Sequence, residues 1–225
     1  MESEQETTPD AARELPHMRV AYAGHGLTEE QSHADPFVQF EEWFAQAADA
    51  SIAEPNAMAL ASVSADGRPS VRMLLLKGLE NREFLFYTNY ESRKGRELEE
   101  NPNAALVFYW AELERQVRVE GRVRRLSGEQ SDAYFASRPK GSRLAAWVSA
   151  QSRAVRSRED LEAGLRQLER EYQDTETVPR PAHWGGYALR ADLIEFWQGR
   201  PNRLHDRLVY AAQPDGTWSR TRLAP

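Results

Sequence analysis

No cysteine occurs among the 225 residues, so the chain has no disulfide staple, no thiolate nucleophile and no zinc–thiolate centre. No apolar run approaches the ~18 to 20 residues that a membrane-spanning helix needs. The first residues, MESEQETTPDAARELP, lack the basic and apolar regions of a secretory leader, and the expected compartment is the cytoplasm. The common nucleotide loops are missing: there is no GxxxxGKS/T and no GxGxxG after a strand. Five histidines (His17, His25, His33, His183 and His205) are scattered and no HExxH occurs, so no metal site is expected. Nor is positive charge in excess. Lys and Arg number 29 against 35 Asp and Glu, a net charge of −6, which argues against a nucleic-acid-binding barrel.

What is present is arginine in dense local groups, at 115–125, 138–158 and 200–207. Basic clusters on an acidic protein suit a small anionic ligand better than a long polyanion. The 40% hydrophobic content supports one sizeable core. Residues 1–16 are polar and acidic and read as a disordered tail, 17–34 as an arm, and 35–225 as a single domain.

Asp35 and Pro36 have the chemistry of a helix N-cap and first helical position, and Phe37, Phe40, Phe44 and Ala47 follow at helical spacing. Strands are expected at AMALASVS and PSVRMLLLKGL, joined by a turn at ADGR, then at EFLFYTN and AALVFYWA. RQVRVEGRVRRL alternates, placing Val117, Val119 and Val123 on one face and Gln116 among the arginines on the other. SRKGRELEENP reads as a short helix capped by Ser92. Helices at SGEQSDAYFASRP, SRLAAWVS and REDLEAGLRQLEREYQ precede strands at GGYALRADLIEFWQG and a closing hairpin around QPDGT. This order predicts an α+β fold with an antiparallel sheet closing towards a barrel.

Three segments read either as ordinary charge at element ends (a solvated helix start, a helix C-terminus favouring a cation, an exposed basic strip) or as ligand-binding chemistry. At SRK, Arg93 and Lys94 add charge to a helix N-terminus, whose free N–H groups favour phosphate. In YFASRPKGS, Tyr134 and Arg138 share a helix face and Ser142 follows the turn, a candidate phosphate clamp. In RPNRLHDR, Arg203, His205 and Arg207 alternate along an expected strand and would share a face, where they repel unless an anion or carboxylate sits among them.

With RMLLLK, FYTNYESRKGRELEENP, LERQVRVEGRVRRLS, YFASRP, AWVSAQS, HWGGY, IEFWQGRPNRLHDR and a terminal RLAP in this order, the chain resembles the pyridoxine/pyridoxamine 5′-phosphate oxidase family from MRVAY to its last residue. The resemblance implies an antiparallel split β-barrel with flanking helices, a homodimer, and FMN at the subunit interface. It implies oxidation of pyridoxamine and pyridoxine 5′-phosphates to pyridoxal 5′-phosphate by oxygen, with release of hydrogen peroxide. By the same resemblance FMN contacts are Arg72, Met73, Leu74, Leu75, Leu76, Lys77, Tyr87, Thr88, Arg93, Lys94, Gln116, Gln151, Ser152, Trp197 and Arg207. Substrate contacts are Lys77, Tyr134, Arg138 and Ser142 at the phosphate, Arg203 and His205 as catalytic residues at the ring, and Arg19 and Tyr22 from a closing arm. A flavin- or haem-binding barrel without oxidase activity is the rival reading, and the presence of all six ring and phosphate contacts favours the oxidase.

Overall fold

The computed structural model describes Met18, residues 21–24 and residues 26–225; the tail expected at 1–16 lies outside the described residues. Helix α1 (Pro36–Asp49) starts as its sequence dictates, with Asp35 Oδ1 accepting from Phe37 N at 2.9 Å and Pro36 at the first position. Strands β1 (Ala57–Val63) and β2 (Pro69–Leu75) form the hairpin around Asp66-Gly67, where Gly67 takes φ +83°. The expected second strand is not continuous through RMLLLKGL. It stops at Leu75, and β3 (Gly78–Glu80) pairs instead with β4 (Glu83–Asn89), so Arg72 and Lys77 belong to different parts of the sheet.

Helix α2 (Arg93–Glu100) links β4 to β5 (Asn103–Trp110), which pairs with β6 (Arg115–Arg125). Three helices follow: α3 (Gly128–Ser137), α4 (Lys140–Val148) and α5 (Arg158–Glu171). The chain returns through β7 (Trp184–Gln198) and closes with β8 (Asp206–Ala212) and β9 (Trp218–Arg222). The sheet order is β2-β1-β5-β6-β7-β4-β3, with β8 added on β7 and β9 on β8. All the strand pairs are antiparallel.

The fifteen-residue β7 is where the sheet divides. Its first half, 184–190, pairs with β4 and its second half, 193–198, with β8, while β6 runs along both. The register with β6 shifts at Glu120/Gly121, leaving Asp192 unpaired as a bulge between the halves. Gly121 is required there, because a Cβ would stand 2.0 Å from Arg190 O. Inside the curled sheet α1 packs Phe40 against Phe84 and Phe108, both at 5.1 Å between ring centroids, and Trp43 against Phe196 at 5.2 Å. The opposite face at β2-β1-β5 stays open and apolar. Val71 and Met73 on β2 are 69% and 64% exposed, and Tyr109 on β5 is 56% exposed.

Candidate functional site

The start of α2 is built as an anion cradle. Ser92 caps the helix by accepting from Gly95 N at 3.2 Å, and Arg93 N donates to Ser152 Oγ at 3.1 Å. Lys94, only 7% exposed, donates to Gln151 Oε1 at 2.7 Å and to Thr88 Oγ1 at 3.2 Å. These acceptors are neutral. Burial, with the nearby Arg72 charge, pulls the Lys94 ammonium down to about 8. A buried cation held by neutral oxygens is the charge pattern an anion completes.

Arg72 reaches the same region from β2, donating to Ser62 Oγ at 2.5 Å and to Leu60 O at 3.2 Å, and also to Ser70. Its counter-ion is Glu97 of α2, at 3.3 Å, which also takes Arg93 Nε at 2.8 Å. Burial opposes ionisation of Glu97, but hydrogen bonds from Ser62, Ser70 and Arg93 and the Arg72 charge outweigh it and hold the carboxyl at about 2. Glu97, Ser62 and Ser70 were not anticipated from sequence.

Next to this cradle lies a cavity of about 220 Å³, lined by Asn89, Arg138, Ser142, Gln151 and Trp184 among others. Tyr87 and Tyr134 stack at 3.8 Å, and Arg138 lies 4.7 Å over the Trp184 ring. Burial raises both phenols, which therefore remain proton donors. The Nη1 atom of Arg138 is buried and has no hydrogen-bond partner among the described residues. Tyr134, Arg138 and Ser142 thus meet, with Ser142 inside α4 rather than beyond a turn. Lys77 does not join them. Its N–H donates to Leu85 O at 2.8 Å, and its side chain lines another cavity with Phe40, Phe44 and Asn56.

A third pocket, of about 720 Å³, lies at the far end of β7 and is lined by Met18, Tyr22, Trp197, Asn202, Arg203 and His205 among others. The expected alternation of Arg203, His205 and Arg207 along a strand is wrong. Residues 201–203 form a 3-10 turn in which Asn202 and Arg203 take φ of +57° and +62°, and β8 begins only at Asp206. Pro201 and the left-handed Asn202 break the extended geometry that alternation requires. Arg203 and His205 still share the pocket, because the turn returns them to it. His205 Nδ1 accepts from Arg200 N at 3.1 Å, so with that bond in place any proton on the ring sits on Nε2.

Arg207 points elsewhere. It grips Glu195 with Nε at 2.8 Å and Nη2 at 3.0 Å, and gives Nη1 to Ala224 O at 3.0 Å. The hydrogen bonds to Glu195 raise the Arg207 pKa. Arg118 reaches the same carboxylate at 2.8 Å. Glu195 is 2% exposed, and a clue to it stands in LIEFW, where a carboxylate inside an apolar strand demands a buried cation. Gln116 lies beside Trp197 in register. Of the arm residues Tyr22 reaches the pocket, while Arg19 lies outside the described residues.

The predicted contacts thus fall into two groups. Tyr87 pairs with Gly186 and Gln116 with Trp197, so eleven residues of β7 separate them, roughly 36 Å at about 3.3 Å per residue. The two groups stand at opposite ends of β7 on one chain.

Two family models match the chain: pyridoxamine 5′-phosphate oxidase over residues 44–170, and pyridoxine 5′-phosphate oxidase C-terminal dimerisation region over 184–225. A pyridoxine/pyridoxamine 5′-phosphate oxidase of Salinibacter ruber is 55% identical over 212 residues, 94% of this chain and 99% of that protein. Its counterpart from a Cyanothece species is 58% identical over 92% of this chain and 97% of its own length. Among solved structures, PhzG from Burkholderia lata 383, in complex with tetrahydrophenazine-1-carboxylic acid, superposes with a TM-score of 0.84 at 31% identity, covering 90% of this chain and 99% of that one. A pyridoxamine 5′-phosphate oxidase-related, FMN binding protein from Nostoc punctiforme shares the fold at a TM-score of 0.68 and 18% identity, over 86% of this chain and all of its own.

Proposed function

The chain belongs to the pyridoxine/pyridoxamine 5′-phosphate oxidase family of oxidoreductases, and from that premise we propose that it oxidises pyridoxamine and pyridoxine 5′-phosphates to pyridoxal 5′-phosphate with FMN and oxygen. Hydrogen peroxide is the second product, and the amine substrate also releases ammonia. The observation that carries this reading is the pair of adjoining anion sites, one around Lys94 and one around the unpartnered Arg138 Nη1. Cofactor and substrate each bring a phosphate, and each has a place prepared for it.

Lys94 and Arg72, with the N-terminus of α2, fit the cofactor phosphate, supported by Arg93, Thr88, Gln151 and Ser152. Tyr87, Gln116, Trp197 and the Met73–Leu76 backbone, continuing to Lys77, are its ring contacts on this reading; Arg207 joins them only through the guanidinium hydrogens that Glu195 and Ala224 leave free. Bound FMN supplies the acceptor for a hydride equivalent and returns two electrons to oxygen. Tyr134, Arg138 and Ser142 hold the substrate phosphate; Lys77, the fourth contact that the resemblance implies, lines a separate cavity. At the other end Arg203 stabilises developing charge, since its guanidinium stays protonated. His205 presents Nε2 as a donor towards the pyridine ring while Nδ1 is engaged by Arg200 N. Tyr22 and Arg19 close over the ring.

The separation of the two groups along β7, at most roughly 36 Å at about 3.3 Å per residue, supports a homodimer with the cofactor at the interface, each site taking the Lys94–Arg138 half of one chain and the Trp197–His205 half of the other. The open apolar face of Val71, Met73 and Tyr109 supports the same assembly. The proposed compartment is the cytoplasm.

Purified protein should carry a flavin absorbance band and release peroxide with each phosphorylated vitamer. A colourless protein that stays inert after FMN is added overturns the reading, as does turnover of an aromatic carboxylate in place of the phosphorylated vitamers. Arg203→Ala should lower turnover at least about tenfold with FMN retained, since a charge-assisted contact to the reacting ring is lost.

A further inference from the structure

We propose that Glu114 is a positioning residue: its carboxylate clasps the backbone of Ala23 and Gly24 and thereby holds the Tyr22 ring over the Trp197–His205 pocket. The catalytic consequence rests on the oxidase reading above; the clasp itself does not.

Glu114 sits in the turn before β6 with a left-handed backbone, φ 54°. Its carbonyl is fixed to the end of β7, accepting from Gly199 N at 2.7 Å and from Gln198 Nε2 at 3.2 Å. With its backbone anchored, the side chain reaches the arm. Its two carboxylate oxygens accept from Ala23 N at 3.1 and 3.0 Å, and Oε2 also accepts from Gly24 N at 2.8 Å. Two consecutive N–H groups converging on one carboxylate form a charge-assisted nest.

The packing around the clasp allows little slack. A Cβ on Gly24 would stand 2.5 Å from Gln198 Nε2 and 2.9 Å from Glu114 Oε2. The Tyr22 ring lies directly on Gly199, where a Cβ would come within 2.9 Å of it. From there the ring meets Trp197 edge-on at 5.7 Å and His205 at 5.4 Å. Glu114 does not itself line the pocket that Tyr22 closes. Its influence on the ligand passes through Ala23 and Gly24 to Tyr22. Loss of the clasp lowers the fraction of chains whose arm is in place, which weakens apparent substrate affinity and leaves the fully assembled complex as reactive as before. Glu114 has no hydrogen bond to the Lys94 cradle among the described residues, so retention of FMN is not expected to change.

The test uses the full-length, FMN-loaded protein and compares Glu114→Ala, Glu114→Gln, Gly24→Ala and the double variant Gly24→Ala/Glu114→Ala. For pyridoxamine 5′-phosphate, Glu114→Ala should raise KM about tenfold with kcat within about twofold, the loss expected for hydrogen bonds to a charged group. Glu114→Gln, which keeps one acceptor oxygen, should fall between it and the parent. Gly24→Ala should match Glu114→Ala, and the double variant should be no worse than either alone, because both act through one contact. Backbone amide exchange at residues 23 and 24 should quicken in Glu114→Ala without any substrate. A parental KM in Glu114→Ala, a fall confined to kcat, or multiplying effects in the double variant would overturn the positioning role. If Glu114→Ala misfolds, Glu114→Gln and Gly24→Ala decide the matter. Absence of turnover in the parent protein overturns the oxidase reading and the catalytic role together, and amide exchange then decides the clasp alone: unchanged exchange rejects it.

Discussion

At pH 7 the Lys94 ammonium is charged but stands close to its titration, and this makes it the residue whose behaviour reports most directly on the site. Its pKa is drawn from 10.5 to about 8 by burial and by the Arg72 charge. Between those values the unfolded chain binds more protons than the folded one, so the ligand-free protein should gain stability as pH rises from about 8 to about 10.5. A phosphate beside Lys94 favours the charged form and raises its pKa again. FMN binding therefore takes up a proton above about pH 8, and affinity should fall there by up to about tenfold per pH unit. Fluorescence titration of FMN from pH 7 to 9.5 checks this; Lys94→Met should bind more weakly at pH 7 and lose the slope. Glu97 shifts stability in the same sense with pH, but because its charged form is the favoured one. Its carboxyl, held at about 2 against an ordinary 4.5, contributes stability above pH 4.5 that is lost as pH falls towards 2. Glu97→Gln leaves Arg72 half-buried beside neutral partners and should cost about 3 kcal/mol in urea unfolding.

Among the elements, those governed by local chemistry were legible in the sequence. The Asp35–Pro36 cap, the Asp66-Gly67 turn, the Ser92 cap and the alternation of Val117, Val119 and Val123 all appear where the pattern puts them. The Tyr134–Arg138 pair falls at the end of one helix, as its four-residue spacing implies. What was not legible depends on pairing across long stretches of chain. Nothing near Arg207 in sequence shows that Glu195, on the neighbouring strand, takes its guanidinium, or that Arg118 shares that carboxylate from 77 positions away. The strand drawn through Arg203 and His205 failed because periodicity has no term for a left-handed Asn202, whereas the proline before it was the available warning. Gly95 shows how an element boundary and a site coincide. A Cβ there would stand 2.1 Å from Tyr90 O, so α2 can approach the preceding turn only with glycine in its first turn. Gly95→Ala should push the α2 N-terminus off the cradle and weaken FMN binding at least about tenfold, measured by the same fluorescence titration, a larger effect than the ~1 kcal/mol that helix propensity alone would add in its favour.

On the scale of the whole molecule, β7 carries the two groups of candidate contacts at its opposite ends. Its first residues carry Gly186 beside Tyr87 and Trp184 beneath Arg138, and its last residues carry Trp197 beside Gln116 and the pocket of Arg203 and His205. A long strand that bulges at Asp192 and exchanges β4 for β8 keeps these halves apart in one chain. On the proposed reading a two-fold assembly sets the first half of one copy against the second half of the other, which would give two equal sites from one interface. This arrangement can be checked without a structure of the assembly. Arg138→Ala removes the phosphate contact in the first half, and Arg203→Ala the ring contact in the second. Each variant alone places its defect in both sites, and kcat/KM should fall at least about a hundredfold, the loss expected for a buried charge-assisted contact. In a dimer of one variant with the other, one site receives both defects and its twin receives neither. Random pairing of equal amounts makes half the dimers mixed, so about a quarter of all sites should be intact and co-expression should restore about a quarter of the parental activity. A site contained within one chain predicts no recovery, because every chain in the mixture carries a defect.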